Sequence, residues 1–332
     1  EDLTTCVAMT DAKGDRTKRP HEQHDPDLYL RIVDKNDEGI VVRGIKAIVT
    51  GAPYTHEILV LPTRNMTEND ADYAVSFAVP IDAQGVELVS RQAGTPGNKG
   101  APLSSRYGQA TAQILFDDVL VPWDRVFLAG EWDFAGSLTE SFATHHRLSC
   151  IGARSGLGDM IIGATASLTE ANGLDVQKTG HVRDKIADLI RYVESSYACG
   201  VTSSIFGEET QAGNFIPEPV YSNIGKLMQG LQIYDIFRMA HDATGGIVVA
   251  SPYPEDMESP DVGKRLNRYL QGREDVPADY RVAVARLLED VTASYQGGWY
   301  SVISISGGGS PEATRMEIMR KYDIDERKSL VE

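Results

Sequence analysis

The residues best suited to chemistry lie close together in the middle of the chain. Within six consecutive positions stand His145, His146, Arg147 and Cys150. An imidazole has an unperturbed pKa of about 6.5, so it can donate, accept or transfer a proton near neutral pH. The segment is therefore a candidate catalytic or metal-binding site. The alternative interpretation is a histidine that only satisfies polar groups inside a helical domain.

A long helix over 134–171 is expected to position these residues. Apolar side chains recur there at near-helical spacing, which favours a helix over a strand. Four glycines interrupt the pattern: Gly152, Gly156, Gly158 and Gly163. Each disfavours a helix interior by about 0.8–1 kcal/mol relative to alanine. We therefore expect another helix or a flat cofactor to approach the backbone closely at these glycines.

The composition favours small ligands and other protein chains as partners. Among 332 residues, 48 acidic and 32 basic side chains leave a net charge of −16, which disfavours nucleic acid and anionic membranes. The three cysteines form no CxxC pair, so neither a disulfide framework nor a self-contained zinc site is expected. No apolar run approaches the roughly 20 residues of a membrane span and no signal sequence opens the chain. We therefore expect a cytoplasmic protein.

Residues 1 to about 125 have strand character. Short apolar runs alternate with turns rich in Gly, Pro, Asn and Asp, such as DKNDEG, PTRN and GTPGNKG. No strand–GxGxxG–helix unit occurs, so a Rossmann site lacks its fingerprint. The pattern predicts a compact antiparallel β-barrel or sandwich. One turn, AKGDRTKRP at 12–20, crowds cations and backbone N–H groups that suit an anion.

After Pro122 the character changes to helix. Besides 134–171, helices are predicted over 181–206, 217–241, 260–271 and 277–296, followed by a glycine-rich break and a short last helix. Long helices joined by short loops are typical of an up-down bundle. The fold class is therefore α+β, a β domain followed by a four-helix-type bundle.

Several motifs in colinear order then carry a resemblance to a known family. They are AMTDAKGDRTKRP at 8–20, VVRGIKAIVTGAPYTHEILVLPT at 41–63, ILFDDVLVPWDRVFL at 114–128, HHR at 145–147, GLGDMIIGA at 156–164, HDATGG at 241–246 and GGGSPEATRM at 307–316. Together they resemble the 4-hydroxyphenylacetate 3-hydroxylase and 4-hydroxybutyryl-CoA dehydratase family, which has the acyl-CoA dehydrogenase fold.

The resemblance implies an FAD enzyme that assembles as a dimer or tetramer. It implies a middle β domain at 1–128, a C-terminal bundle at 129–322 and a charged tail at 323–332. The family's N-terminal helical domain has no counterpart here, so we expect a second chain or an undetected N-terminal segment to supply it.

The resemblance also assigns the cofactor residues. The family's flavin turn matches Met9, Thr10, Asp11, Lys13, Gly14, Asp15 and Arg16, and the strand around the flavin matches Val42, Arg43 and Gly44. A loop that meets the cofactor's nucleotide end from a neighbouring subunit matches Gly245 and Gly246. Peptide N–H groups and cations suit a pyrophosphate and a flavin carbonyl that becomes anionic on reduction. A solvated charged turn and a simple helix stop are the alternatives.

The dehydratase chemistry is where the resemblance fails. In that enzyme the histidine matching His146 ligates a [4Fe–4S] cluster with a cysteine seven residues later, which is Ala153 here. Its acid and base carboxylates align with Thr111 and Ile303, which cannot exchange protons near neutral pH. Because clusters are held by thiolates, we expect no iron–sulfur cluster and no metal. His146 and His56 remain as the catalytic candidates.

Three functions remain open. The first is a reduced-flavin-dependent aromatic hydroxylase that acts on a phenol and receives its flavin from a reductase. The second is a CoA-thioester dehydratase or isomerase that uses FAD without the cluster. The third is a subunit that binds FAD or holds an assembly together while a partner chain completes the site.

Overall fold

The computed structural model describes residues 2–332 and divides into two compact units. The first unit contains the residues up to Ala93 together with Gln109–Phe142, and it holds eight of the described strands. The second contains Gly94–Gly108 and Ala143–Glu332, and it is mainly helical. The mixed α and β class predicted from the sequence is thereby confirmed.

Two four-stranded sheets form the first unit. Its strands are β1 (Thr5–Ala8), β2 (Arg31–Lys35), β3 (Gly39–Thr50), β4 (Glu57–Val60), β5 (Val75–Pro80), β6 (Val86–Arg91), β7 (Thr111–Pro122) and β8 (Val126–Ala129). The sheet orders are β1-β4-β5-β8 and β2-β3-β7-β6. The expectation of a wholly antiparallel unit is wrong at one pair, because β1 runs parallel to β4 from Thr5↔Glu57 onward.

Both sheets bury their apolar faces in one core. Alternating side chains of β3 and β7 point inward, as expected for strands with one buried face. Ile58 and Phe77 from one sheet join Ile114 and Phe116 from the other. The rings of Phe77 and Phe116 meet edge to face, with centroids 6.0 Å apart. This shared core fixes the loops at the strand ends, which carry most of the predicted cofactor residues.

Helices dominate the second unit. Their bounds are α1 (Ser104–Tyr107), α2 (Ala135–Ala171, which begins in the first unit), α3 (Gly180–Ile205), α4 (Pro219–Ala243), α5 (Pro254–Met257), α6 (Gly263–Tyr269), α7 (Ala278–Thr292), α8 (Tyr295–Ser306), α9 (Pro311–Lys321) and α10 (Ile324–Lys328). A short hairpin joins β9 (Glu208–Glu209) to β10 (Phe215–Ile216). The long helix predicted over 134–171 is confirmed by α2.

The predicted helix over 277–296 is wrong at its end. The chain leaves α7 after Thr292 and starts a new helix, α8, capped by the Ser294 hydroxyl, which accepts from the amides of Gln296 and Gly297. A serine in this position is a strong helix start. The glycines that follow it hid the start of α8 from a reading based on periodicity.

The glycines at which helices come close together are only partly those predicted on α2. A Cβ at Gly158 would meet Val193 at 2.4 Å, so close approach is confirmed there. A Cβ at Gly152, Gly156 or Gly163 would meet no described atom within 4 Å, so no neighbouring helix approaches closely at these three, and a flat cofactor there stays a prediction. The glycines that admit a neighbour belong instead to α3 and α4, where Gly200 and Gly225 receive the side chain of Ile151. The buried core here includes Ile161, Leu168, Leu189 and Leu288.

A membrane span is not among these helices. Within residues 2–332, none combines the length and the apolar character that crossing a bilayer requires.

Candidate functional site

A buried ion pair between Asp11 and Lys46 holds the predicted flavin turn in place. The Lys46 ammonium lies 2.8 Å from the carboxylate of Asp11 and also donates to the carbonyls of Met9 and Leu61, each at 2.9 Å. Leu30 N donates to the same carboxylate at 3.1 Å. Burial raises the pKa of Asp11 and lowers the pKa of Lys46, while their mutual attraction opposes both shifts. The Asp11 side chain thus anchors the turn within the unit.

The tip of the turn has an unusual backbone. Lys13 and Gly14 have φ values of +71° and +48°, a region that residues other than glycine seldom adopt. Gln23 holds this conformation by accepting from Asp15 N and donating to Asp15 O, both at 2.9 Å. A Cβ at Gly14 would meet Gln23 Oε1 at 2.3 Å, so glycine is required there. Strain of this kind is often found at ligand sites.

Three cations collect around this turn. Burial lowers the pKa of Lys13, and the neighbouring charges of Arg16 and Arg64 lower it further, against the attraction of Asp11. Burial also raises the pKa of the Tyr29 hydroxyl, and the adjacent Arg64 guanidinium opposes that rise. We call Lys13, Arg16, Arg64 and Tyr29 the cationic turn site. It is suited to an anion or to a group that becomes anionic.

Sequence reasoning missed Arg64, Tyr29 and Lys46. Arg64 stands in the PTRN turn after β4, and the sequence marks it only as a turn residue. Lys46 was recognisable in principle, since it interrupts the apolar run of β3 where a buried lysine needs a partner.

A second buried carboxylate ties the flavin turn to the loop that carries Arg64. Asp70 accepts from Arg19 Nε at 2.8 Å and Arg19 Nη2 at 2.6 Å, and from Thr67 Oγ1 at 2.7 Å. His21 Nδ1 lies 2.6 Å from its other oxygen. Burial alone would raise the pKa of Asp70, but the bonds from His21, Thr67 and Arg19 outweigh it and hold the pKa far below its usual range. The two loops are therefore joined at their bases by Lys46 and further out by Asp70.

The strand residues assigned to the flavin have other partners as well. Val42 is buried in the core. Arg43 donates to both carboxylate oxygens of Asp118, at 2.8 and 2.6 Å, which lowers the pKa of Asp118. Gly44 has φ +133°, and a Cβ there would lie 2.8 Å from Tyr29 O. Gly44 lets the backbone of β3 pass close to the segment that carries Tyr29.

His56, one of the two catalytic candidates, is engaged at the edge of a sheet. Its Nδ1 accepts from Thr4 N at 3.1 Å and lies 2.9 Å from Thr4 Oγ1. The ring is exposed and secures the chain just before β1. A role in catalysis stays a prediction for His56, and in the neutral ring Nε2 would carry the proton.

His146, the other catalytic candidate, lies in a cluster of titratable groups within the second unit. The Cys150 sulfur is 3.8 Å from His146 Nε2, one helical turn along α2. Burial lowers the pKa of His146, and the cations Lys226, Arg147 and Arg154 lower it further. Burial raises the pKa of the Cys150 thiol against the same cations. A neutral imidazole therefore stands beside a protonated thiol at neutral pH.

Lys226 binds the last turn of α8, and Arg147 binds the glycine segment that follows it. Lys226 is 2% exposed and donates to Ser304 O at 2.7 Å; burial lowers its pKa to about 8. Arg147 donates to Gly308 O and to Asn223 Oδ1, each at 2.8 Å. A Cβ at Gly308, whose φ is +74°, would meet His146 at 3.3 Å. The motif GGGSPEATRM thus supplies the glycine that lets the chain pass over His146.

Arg154 is placed differently from the other cations. Within residues 2–332 its guanidinium makes no hydrogen bond. The guanidinium carbon Cζ lies 5.8 Å from the centroid of the Tyr300 ring. Its Nε is fully buried.

Gly245 and Gly246 line an open groove at the end of α4. Both have left-handed backbones, with φ of +74° and +73°. The groove has a volume of about 760 Å³, and Arg238, His241 and Thr292 also line it. His241 Nε2 lies 2.7 Å from Thr292 Oγ1. The groove is large enough for part of a nucleotide, which leaves the predicted cofactor role of this pair open to test.

The described residues do not provide the ligands of a metal cluster. In residues 2–332, no three His, Cys, Asp or Glu side chains are arranged to hold a metal ion. Cys150 is the thiol beside His146, and exposed Ala153 follows on the next turn. This donor set does not fit an iron–sulfur cluster, which needs several thiolates.

The fold alone places the protein in a structural class. The structure of a glutaryl-coenzyme A dehydrogenase matches 95% of this chain with a TM-score of 0.59 at 14% identity, which establishes an acyl-CoA dehydrogenase-like fold and no more.

Family models for the N-terminal and C-terminal parts of 4-hydroxyphenylacetate 3-hydroxylase match residues 1–128 and 135–332. The chain belongs to the 4-hydroxyphenylacetate 3-hydroxylase family, as the motifs predicted.

Both branches of the family appear among the relatives. The 4-hydroxybutyryl-CoA dehydratase/vinylacetyl-CoA-Delta-isomerase of Clostridium aminobutyricum is 39% identical over 99% of this chain and 70% of its own length. The 4-hydroxyphenylacetate 3-monooxygenase oxygenase component of Thermus thermophilus is 30% identical over 100% of this chain and 69% of its own. A structure of such an oxygenase component complexed with FAD matches with a TM-score of 0.91 at 27% identity, over 99% of this chain and 69% of that one.

Proposed function

We propose that this chain is an FAD-dependent oxidoreductase, an aromatic monooxygenase of the 4-hydroxyphenylacetate 3-hydroxylase kind or a subunit of one. The observation that carries the proposal is the cationic turn site of Lys13, Arg16, Arg64 and Tyr29, braced by Lys46 and Asp70. When bound, reduced FAD supplies the two electrons with which dioxygen gives one oxygen atom to the substrate and one to water.

The chain's own residues have defined tasks in this proposal. Lys13, Arg16 and Arg64 would supply positive charge to a flavin ring that becomes anionic on reduction, and the left-handed backbone at Lys13 and Gly14 would offer it amide N–H groups. His146, kept neutral by burial and by the cations around it, can accept a hydrogen bond from a phenol or donate one to a carbonyl. Gly245 and Gly246 would meet the nucleotide end of the cofactor.

A CoA-thioester dehydratase or isomerase is the second candidate. The higher identity to the dehydratase, 39% against 30%, favours it. Against it stand Ala153 and the donor set around His146, which do not suit a cluster. We therefore propose FAD without an iron–sulfur cluster in either case.

The assembly is part of the same proposal. The relatives extend beyond the region that this chain matches. We propose a cytoplasmic homodimer or homotetramer that is served by a flavin reductase, and in which a further helical segment, in this or another polypeptide, completes the substrate pocket. We retain a β-barrel or sandwich domain at 1–128, an up-down bundle at 129–322 and a tail at 323–332. The first family model ends at residue 128 and the second begins at 135, which supports the first of these boundaries.

A product assay separates the two candidate enzymes. The complete assembly, purified with any chain that accompanies this one, is supplied with FAD, an NADH-dependent flavin reductase and a series of 4-substituted phenols, and the catechol product and oxygen uptake are measured. We expect catechol formation coupled to oxygen uptake with at least one phenol, and none without the protein. Turnover of 4-hydroxybutyryl-CoA to crotonyl-CoA without oxygen uptake would support the dehydratase. No catechol with any phenol would contradict the lead proposal.

A further inference from the structure

A small cavity lies between four helices of the second unit. Its walls come from α2, α3, α4 and α8, and its volume is about 20 Å³. A water molecule needs a cavity of at least roughly 10–15 Å³ and two to four polar partners. The space therefore suits one water-sized molecule, provided that polar atoms line it.

Three polar atoms without partners belong to residues of this wall. They are Arg154 Nε, Ser155 Oγ and Gln229 Oε1, all fully buried and without a hydrogen bond to any described residue. Ser155 and Gln229 are each 7% exposed. A buried polar group left unsatisfied costs about 1–3 kcal/mol. Three such atoms at one cavity indicate a ligand rather than three separate defects.

The other two serines of the wall, Ser196 and Ser304, have partners within the protein. Ser304 Oγ donates to Tyr300 O at 2.6 Å and Ser196 Oγ to Gly225 O at 3.3 Å. Gln229 Nε2 donates to Ile151 O at 3.0 Å, which fixes the amide and leaves its oxygen as the group without a partner. Among the described residues of the wall, Arg154, Ser155 and Gln229 are therefore those whose buried polar atoms lack a partner.

The chemistry of these three atoms selects the ligand. Arg154 Nε can only donate, Gln229 Oε1 can only accept, and the Ser155 hydroxyl can do either. A halide or carboxylate accepts from Arg154 but cannot donate to Gln229. A metal ion or ammonium would lie against the charge of Arg154, with Lys226 also close to it. A neutral molecule with both an acceptor and a donor remains, and at this size that molecule is water.

We propose that the cavity is a binding site for one ordered water, held by Arg154, Ser155 and Gln229, and that this water positions the Arg154 guanidinium. Arg154 stands one helical turn after Cys150 on α2, and its charge acts on His146 and Cys150. The water thus fixes one of the charges of the candidate catalytic cluster. The inference does not depend on which reaction the protein catalyses.

Crystallography at a resolution that reveals ordered water tests the site directly. We expect one density peak in the cavity within about 2.7–3.2 Å of Arg154 Nε, Ser155 Oγ and Gln229 Oε1. An empty cavity would overturn the proposal. A crystal soaked in bromide adds a second check, because anomalous signal at the peak would identify a halide site and overturn the assignment to water.

Matched variants test the same site in solution. Ser155→Val places a methyl group in the cavity, and Ser304→Ala removes a wall hydroxyl that already has its own partner. Oxygen-17 relaxation dispersion should record about one fewer long-lived water in Ser155→Val and no change in Ser304→Ala. Equal counts in wild type and Ser155→Val would overturn the proposal. If Ser155→Val does not fold, Ser155→Ala takes its place, with faster exchange of this water expected and unchanged exchange contradicting it.

Discussion

At the scale of single residues, the predicted cofactor turn depends on a lysine that its motif does not include. Lys46 reaches Asp11, Met9 O and Leu61 O from the middle of β3. Both charges of the pair are buried, so neither is tolerated without the other. The motif residue Asp11 therefore acts on the site through the backbone that it holds.

Replacing Lys46 by methionine should leave the buried Asp11 charge without its partner. Removing one partner of a buried pair typically costs about 3–5 kcal/mol, and we expect a loss of that size in the free energy of unfolding measured with urea. The double variant Lys46→Met/Asp11→Leu should recover much of it, since no buried charge is left. A single variant that loses less than about 1 kcal/mol would show that the pair is not buried as described.

Lys226 should make stability depend on pH in the alkaline range. Its folded pKa of about 8 lies below its ordinary 10.5, so between these values the unfolded chain binds a proton that the folded chain lacks. Stability should then rise with pH, by up to about 1.4 kcal/mol per pH unit. The difference in unfolding free energy between wild type and Lys226→Met, measured from pH 7.5 to 10, isolates this effect. A difference that stays constant would contradict it.

At the scale of elements, two loops of the first unit are joined by one carboxylate. Asp70 binds Arg19 and His21 on the first loop and Thr67 on its own. The loops also share a buried apolar cluster that includes Tyr29, Met66 and Tyr73. Asp70 adds the charged contact between them, and we expect it to help set the position of the cationic turn site.

Asp70→Asn should loosen both loops. An amide can replace one acceptor but not the charge that Arg19 faces, so we expect a loss of roughly 2–3 kcal/mol in stability and weaker flavin binding by about tenfold. Asp72→Asn is the matched control, because it makes the same change in charge on an exposed side chain two residues away. Equal flavin affinity in the two variants, measured by fluorescence titration, would argue against a positioning role for Asp70.

The glycines of α2 permit a paired test. Gly158→Ala would push a methyl group against Val193 and should destabilise by about 1–3 kcal/mol. Gly156→Ala meets open space and should stabilise the helix by up to about 1 kcal/mol. Thermal unfolding of the isolated chain distinguishes them. Equal shifts in both variants would mean that the helix contacts differ from those described.

The elements were largely predictable from local pattern, and their contacts were not. The apolar spacing of α2 and the turn chemistry between strands are local signals, so they predicted the long helix and the strand-rich first part. The parallel pairing of β1 with β4 and the separate start of α8 depend on long-range packing and on one capping serine. Arg64 and Asp70 meet the flavin turn only through the fold, so no spacing in the sequence points to them. The position of Lys46 in an apolar run indicates that it needs a partner, but not that the partner is Asp11.

At the scale of the whole molecule, this chain has relatives with two different activities, a dehydratase and a monooxygenase oxygenase component. Its identity is higher to a dehydratase than to an oxygenase component. Beside His146 lies one thiol, Cys150, and exposed Ala153 follows it, a donor set that does not suit an iron–sulfur cluster. The central proposal is therefore an enzyme that uses FAD without such a cluster.

Cofactor analysis of protein purified without oxygen tests this claim most directly. Absorbance of the flavin bands is measured together with chemical determination of iron and sulfide, after reconstitution with FAD and with iron and sulfide. We expect about one FAD per chain, iron near zero and no broad absorbance beyond the flavin bands. About four irons per chain with matching sulfide, or the lack of any flavin binding by the complete assembly, would contradict the account.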